Sequence, residues 1–143
     1  MRKAWILFPL LWAQIAAAAG DNALIKAVHA SNRASVERQL RQGAKINAAD
    51  KEGYTALYYA VALGEDDISL LLIEKGADLR RTYGPRQENL LFEAGRLGRM
   101  KIIKAVLAKN PALARQKNTA GKTPADEAKT AAQSAAAELL KVK

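Results

Sequence analysis

With 143 residues, 23 Lys and Arg against 14 Asp and Glu, and a formal net charge of +9, the chain has room for one domain with a continuous core but not for two. It has no cysteine, which excludes a disulfide scaffold, a thiolate metal site and a cysteine nucleophile. Its single histidine, His29, excludes a two-histidine metal site.

Residues 1–19 stand apart from the rest of the chain. Arg2 and Lys3 precede an apolar run from Ala4 to Ala13, then Gln14-Ile15 and the small residues Ala16 to Gly20. This is the order of a secretory signal peptide, with Ala17-Ala18-Ala19 offering the small-residue cleavage pattern. A membrane anchor is the competing reading, but the apolar stretch 4–19 falls short of the roughly 20 residues a spanning helix needs. Cleavage near Gly20 would leave 21 basic and 14 acidic residues, a net charge of +7, in an exported, soluble product.

The remainder repeats itself. Gly53-Tyr54-Thr55-Ala56-Leu57-Tyr58-Tyr59-Ala60 is followed by Gly64, Leu71-Leu72 and Gly76-Ala77-Asp78. A shift back of 33 residues reaches Asn22, Leu24, Ala27 and Gly43-Ala44. A shift forward of 34 reaches Asn89, Leu91, Ala94, Gly98 and Ile102, and a further 34 reaches Gly121, Thr123, Pro124, Ala128 and Leu139-Leu140. Such a period, with two short apolar helices per unit, predicts a stacked-repeat solenoid. The units run over about 21–49, 50–82, 83–117 and 118–143.

Each unit opens on a residue whose side-chain oxygen can accept a free helix N–H: Asn22, Thr55, Asn89 and Thr123. In the second unit Leu57, Ala60 and Val61 then share one helix face, Gly64 breaks the chain, and Ile68, Leu71, Leu72 and Ile73 mark a second helix. Gly43, Gly76 and Asn110 stand where a left-handed residue would close that second helix. The alanine-rich last unit, with Ala131, Ala132 and Ala135 to Ala137, reads as a terminal cap fraying after Leu140.

These residues resemble the ankyrin repeat. Thr55-Ala56-Leu57-Tyr58, Gly64, Leu71-Leu72 and Gly76-Ala77-Asp78 match its pattern most closely, and Gly121-Lys122-Thr123-Pro124 keeps its helix start. Ser31 and Ala132 replace the Gly between helices, and Asn110-Pro111-Ala112 replaces Gly-Ala-Asp. The resemblance implies an all-α solenoid of about four helix-turn-helix units joined by β-hairpin-like fingers. It also implies binding of a protein partner on the concave surface formed by the fingers and first helices, with no cofactor and no catalysis.

Carried over by position, the candidate surface includes His29 and Ala30; Lys51, Glu52, Tyr54, Ala62 and Leu63; Glu88; and Thr119, Ala120 and Lys122. Its expected centre is in the third unit: Arg80, Arg81, Tyr83, Arg86, Arg96 and Leu97, joined by Tyr54. Tyr54 and Tyr83 are the expected finger anchors, since Tyr and Arg recur among binding hot spots. Tyr58 replaces a mostly structural His, so packing is its expected role.

Charge points to the same unit. Residues 80–117 carry ten basic and two acidic side chains, whereas residues 20–79 carry seven basic and nine acidic. Lys101, Lys104 and Lys109 read as a solvated helix face, while Arg80, Arg81, Arg86 and Arg96 suit carboxylate or phosphate recognition. Two apparent motifs fall away. Gly121-Lys122-Thr123 lacks the earlier Gly of a phosphate loop, since position 116 is Gln, and Glu65-Asp66-Asp67 complements a helix dipole without a calcium-loop spacing.

The expected function is therefore a monomeric, non-enzymatic, exported module that binds an acidic protein in the periplasm or outside the cell. An immunity protein for an effector and a stress-defence factor both fit. A binder of anionic envelope polymers or lipid head groups is the alternative, and nucleic acid is disfavoured by the export signal.

Overall fold

The computed structural model describes residues 23–142. The expected signal segment and the Asn22 cap lie outside these residues. Helix α1 (23–29) pairs with α2 (Arg33–Arg41), α3 (Ala56–Leu63) with α4 (Asp66–Glu74), α5 (Leu90–Arg96) with α6 (Met100–Lys109), and α7 (Pro124–Thr130) with α8 (Ser134–Leu140). A 3-10 turn, Pro111–Arg115, follows α6. The first helices stack α3 on α5 on α7, and the second helices stack α2 on α4 on α6 on α8. The result is the expected two-layer solenoid.

One core runs through the stack. Leu24 and Val28 continue into Leu57 and Val61, then Leu90 and Leu91, while Val36, Ile68, Leu72, Ile102, Ile103 and Leu140 line the second layer. At the interface between first helices the repeat places a small residue each time: Ala27, Ala60, Ala94 and Ala128, all buried. Small side chains let neighbouring helices approach closely. Gly95 deepens this, because a Cβ there would lie 3.0 Å from Leu140 Cδ1 and 3.3 Å from both Ala128 Cβ and the Pro124 carbonyl.

Capping follows the predicted positions. Thr55 accepts the Tyr58 N–H, Asn89 accepts the Leu91 N–H, and Thr123 forms a reciprocal box with Asp126. Among the second helices, α2 is capped by Asn32, which accepts the Ser35 N–H, but the side chains of Glu65, Arg99 and Gln133 cap nothing in their own helices. Each instead meets the turn between helices of the preceding unit: Glu65 accepts a hydrogen bond from Ser31, Arg99 lies over Gly64, and Gln133 over Gly98. A Cβ at Gly64 would stand 2.0 Å from Arg99 Nη2, and one at Gly98 2.4 Å from Gln133 Oε1. These turn residues have φ of +79° and +64°, a left-handed backbone that favours glycine, and a side chain added there would displace the ends of Arg99 and Gln133. Ser31 and Ala132 keep the same left-handed backbone without glycine, at φ of +52° and +59°.

One expectation is corrected. Gly43 and Gly76 adopt positive φ as predicted, but Asn110 sits at φ −150°, ψ +84°. The residue before a proline is driven from helical toward extended backbone, and Pro111 follows. The chain therefore leaves α6 through the 3-10 turn rather than a left-handed cap.

The finger loops are regular only once. Strands β1 (Thr82–Tyr83) and β2 (Glu88–Asn89) pair antiparallel, Thr82 with Asn89 and Tyr83 with Glu88, so the boundary placed at 82/83 falls within β1. The flanking fingers use a side-chain turn instead. Asp50 Oδ1 accepts the N–H groups of Glu52 and Tyr54, and Asn118 Oδ1 accepts those of Ala120 and Lys122. The third unit has Gly84 at the corresponding position, and forms a hairpin there.

Asn89 joins three of these parts. Its Oδ1 caps α5, and its Nδ2 donates to the Leu113 carbonyl at 2.9 Å and to Gln116 Oε1 at 2.8 Å. Asn89→Ala orphans buried groups on both sides and is expected to cost about 1–3 kcal/mol. Urea denaturation reads this as a lowered midpoint at unchanged slope; a shift no larger than that of the same change at exposed Asn47, whose Oδ1 accepts only the Asp78 N–H, would contradict the role.

Candidate functional site

Stacking places the first helices and fingers on one face, and every tyrosine of the chain meets there. Tyr54 precedes the α3 cap, Tyr58 and Tyr59 lie in the first turn of α3, and Tyr83 comes from β1. Tyr58 lies 4.5 Å from Tyr54 and 4.7 Å from Tyr83, centroid to centroid, while Tyr54 and Tyr83 are nearly parallel at 6.0 Å. Tyr59 extends the cluster to His29 at 4.6 Å, carrying it from the first unit into the third. His29 is exposed and meets this ring at a tilt of 51°.

The phenols of Tyr58, Tyr59 and Tyr83 are pushed above the ordinary tyrosine value. Burial, reinforced by Glu93, pushes Tyr58 up to about 12. Tyr59 donates to Asp50, and that bond together with burial pushes it up to about 12 as well. Burial raises Tyr83, whose hydroxyl shares a hydrogen bond of 2.9 Å with Thr55 Oγ1. These groups can stack, donate and accept hydrogen bonds at neutral pH.

Beside the rings lies a charged cluster that sequence reading did not anticipate. Arg96 Nη2 donates to Glu88 at 2.6 Å and to Glu93 at 3.0 Å, and its Nη1 lies 3.8 Å from Glu127. The other oxygen of Glu88 accepts from Asn118 Nδ2 at 2.9 Å, and the Thr119 N–H donates to the Arg86 carbonyl at 3.0 Å, tying the third finger to the fourth. Burial pushes Glu88 up, but the hydrogen bonds from Arg96 and Asn118 outweigh it and hold the carboxyl below its usual range. A pocket of about 350 Å³ opens between the rings and this cluster.

Two predicted binding residues therefore need correction. Tyr83 is only 6% exposed, because β1 pairing turns its ring into the cluster; it lines the pocket instead of tipping a finger. Arg96 has its guanidinium engaged by the protein's own carboxylates and is not a free anion-binding arginine. The other candidates remain at the surface. Tyr54 and Arg81 are half-buried, Arg80 is exposed, and Arg86 is exposed with Nη1 3.8 Å from Glu127. Leu97 is 40% exposed, and Leu63, at the matching position of the preceding unit, is 49% exposed. Lys101, Lys104 and Lys109 are exposed on α6.

Glu93 and Glu127 are the residues sequence reading missed. Both stand four positions after their helix cap, as Tyr59 does after Thr55, so comparing that register across units would have placed them on this face. Among the described residues no group of three or more His, Asp or Glu is arranged to hold a metal ion, and no helix is long and apolar enough to cross a membrane.

Glu88 couples stability to pH through its lowered value. Its ionised form adds stability above the ordinary glutamate pKa of about 4.3, and that stability is lost as pH falls through the lower folded value. Glu88→Gln is expected to lower the urea midpoint at neutral pH and to narrow the gap from wild type in acid; parallel pH profiles would contradict it.

A family model for ankyrin repeats (3 copies) matches residues 6–83, beginning within the segment read as a signal peptide. The chain is 44% identical over 62 residues to the 2-5A-dependent ribonuclease of Mus musculus, a match covering 43% of this chain and 8% of that protein. It is 38% identical over 56 residues to the ankyrin repeat protein FPV034 of fowlpox virus (strain NVSL), covering 39% and 14%. Ankyrin repeat-containing protein P1E11.10 of Schizosaccharomyces pombe (strain 972 / ATCC 24843) is 41% identical over 44 residues, covering 31% and 21%. The chain thus spans only a small part of the length of these relatives.

Proposed function

Because the chain belongs to the ankyrin-repeat family, whose repeats are protein–protein interaction modules and generally non-catalytic, we propose that it binds a protein partner along its face of fingers and first helices. The observation that carries this reading is the gathering of all four tyrosines on one face, while Leu63 and Leu97, at the ends of their first helices, are also exposed. Aromatic rings supply contact area at low entropic cost, and solvent-facing leucines in adjacent repeats gain most from being covered.

The partner is acidic in this proposal. Arg80, Arg81 and Arg86 border the face and stay open to solvent in whole or part, in a region of strong positive excess. The chain works after export, with residues 1–19 removed, in the periplasm or outside the cell. An immunity protein would be encoded beside its toxic effector, and a stress-defence factor beside a peroxide-detoxifying enzyme.

Capture of the partner from envelope extract by the mature chain tests the face. Replacing Arg80, Arg81 and Arg86 with Glu is expected to weaken capture about tenfold or more, whereas Lys101→Glu with Lys104→Glu leaves it nearly unchanged. Equal loss in both variants, together with collapse in modest salt, would support the alternative of an electrostatic binder of anionic polymers or lipid head groups. The mass of the chain in the periplasmic fraction checks export; a full-length product would contradict cleavage.

A further inference from the structure

The pocket beside the tyrosines is far richer in carboxylate than the rest of its unit. Tyr54, Tyr58 and Tyr83 form its aromatic side, and Glu88, Glu93 and Glu127 line the other. Arg86 and Arg96 are the cations in its lining, and Lys122 reaches Glu127 from outside it, so the three carboxylates are matched in charge. This occurs beside a region, 80–117, that holds ten basic side chains and two acidic ones. The enrichment arises because Glu127 is brought in from the next unit.

Glu127 is the unusual member. Its side chain is 8% exposed, and its buried Oε1 has no hydrogen bond. Lys122 Nζ at 3.5 Å and Arg86 Nη1 at 3.8 Å lie near that oxygen, and Arg96 Nη1 lies 3.8 Å from Oε2, so its charge is balanced while its hydrogen-bonding capacity is unused. Leaving a buried carboxylate oxygen unbonded is costly, and an entering N–H donor would recover that cost. The two resident arginines differ in freedom. Arg96 is held by Glu88 and Glu93, whereas the Arg86 side chain is 62% exposed and can move aside.

We infer that this pocket receives one cationic side chain, an arginine or lysine, from the protein partner. The inference rests on the reading of this face as a protein-binding surface and adds what sets the partner's register upon it. The side chain's stem packs on Tyr54 and Tyr58, its charge lies against rings that attract cations, and its N–H groups reach Glu93 and Glu127. The pocket's volume of about 350 Å³ leaves room for such a side chain. The acidic partner then presents a single basic residue amid its acidic surface: the fingers meet the surroundings and the pocket takes the anchor. Two signs of charge arranged this way reject an acidic surface lacking the anchor, which finger charge alone cannot do.

Three capped pentapeptides test this, Gly-Gly-Arg-Gly-Gly, Gly-Gly-Lys-Gly-Gly and the citrulline counterpart of the first, each titrated into the chain and followed by amide NMR shifts. Citrulline keeps the shape of arginine without its charge. Saturable shifts at residues 54–59, 83–96 and 127 are expected with the arginine or lysine peptide, about tenfold tighter than with citrulline. Glu127→Gln is expected to remove that preference while its remaining spectrum stays native, and Glu93→Gln serves as a second variant at the same pocket. No saturable shift with any peptide, equal binding of citrulline, or shifts confined to other surfaces would overturn the inference. Reversal of Arg80 and Arg81 alone, neither of which lines the pocket, separates the two readings: unchanged capture would overturn the protein-binding face while the pocket's own charges stay as they are.

Discussion

Close approach of neighbouring first helices is the constraint on which the rest of this structure depends. It is permitted by Ala27, Ala60, Ala94 and Ala128, which recur at one register and are buried in each unit. With Gly95 facing Ala128 and Leu140, even a single added carbon there would press its neighbours apart by a few tenths of an ångström. Overfilling such a site forces side chains off their rotamers and separates the helices. The second layer is locked to the first by the turn contacts of Glu65, Arg99 and Gln133, each reaching one unit back. Stability in such a stack is a sum over units and their interfaces, so these contacts hold neighbours together without tying distant parts of the chain.

The binding face is a consequence of that spacing. Tyr58 touches both Tyr54 of its own unit and Tyr83 of the next because the third finger closes over the second unit's first helix. Glu88, Asn118 and Arg96 similarly join the third finger, the fourth finger and α5. Hydrogen bonds among partly buried, oppositely charged groups fix geometry more surely than they add stability. The face is thus rigid at its centre, where rings and ion pairs interlock, and open at Arg80, Arg86, Leu63 and Leu97 on its margins.

The fold was readable from the chain because its signals are local. Thr55, Asn89 and Thr123 sit where helices start, Gly64 and Gly98 where they turn, and the apolar spacings within each helix name its buried side. Asn110 misleads because its own tolerance of left-handed backbone matters less than the proline after it. The site was less readable. Net charge over 80–117 suggested free arginines, yet Arg96 is neutralised by Glu88 and Glu93 from within that window and by Glu127 from beyond it. Counting charges along a chain cannot reveal such pairing, which brings together residues about 31 positions apart.

By itself the sequence determined the repeat, its family, the helix starts and turns, and the faces that make up the core, since each follows from backbone preference or from apolar spacing within one unit. Only the tertiary structure decided which side chains the stack leaves for a partner. Tyr83 was drawn under, Arg96 was paired, and Glu127 was carried against the third unit, because contacts between units depend on the rise from one helix pair to the next. That rise is a property of the packed stack. It turned a basic region with two finger tyrosines into a four-tyrosine face holding a pocket lined by three glutamates.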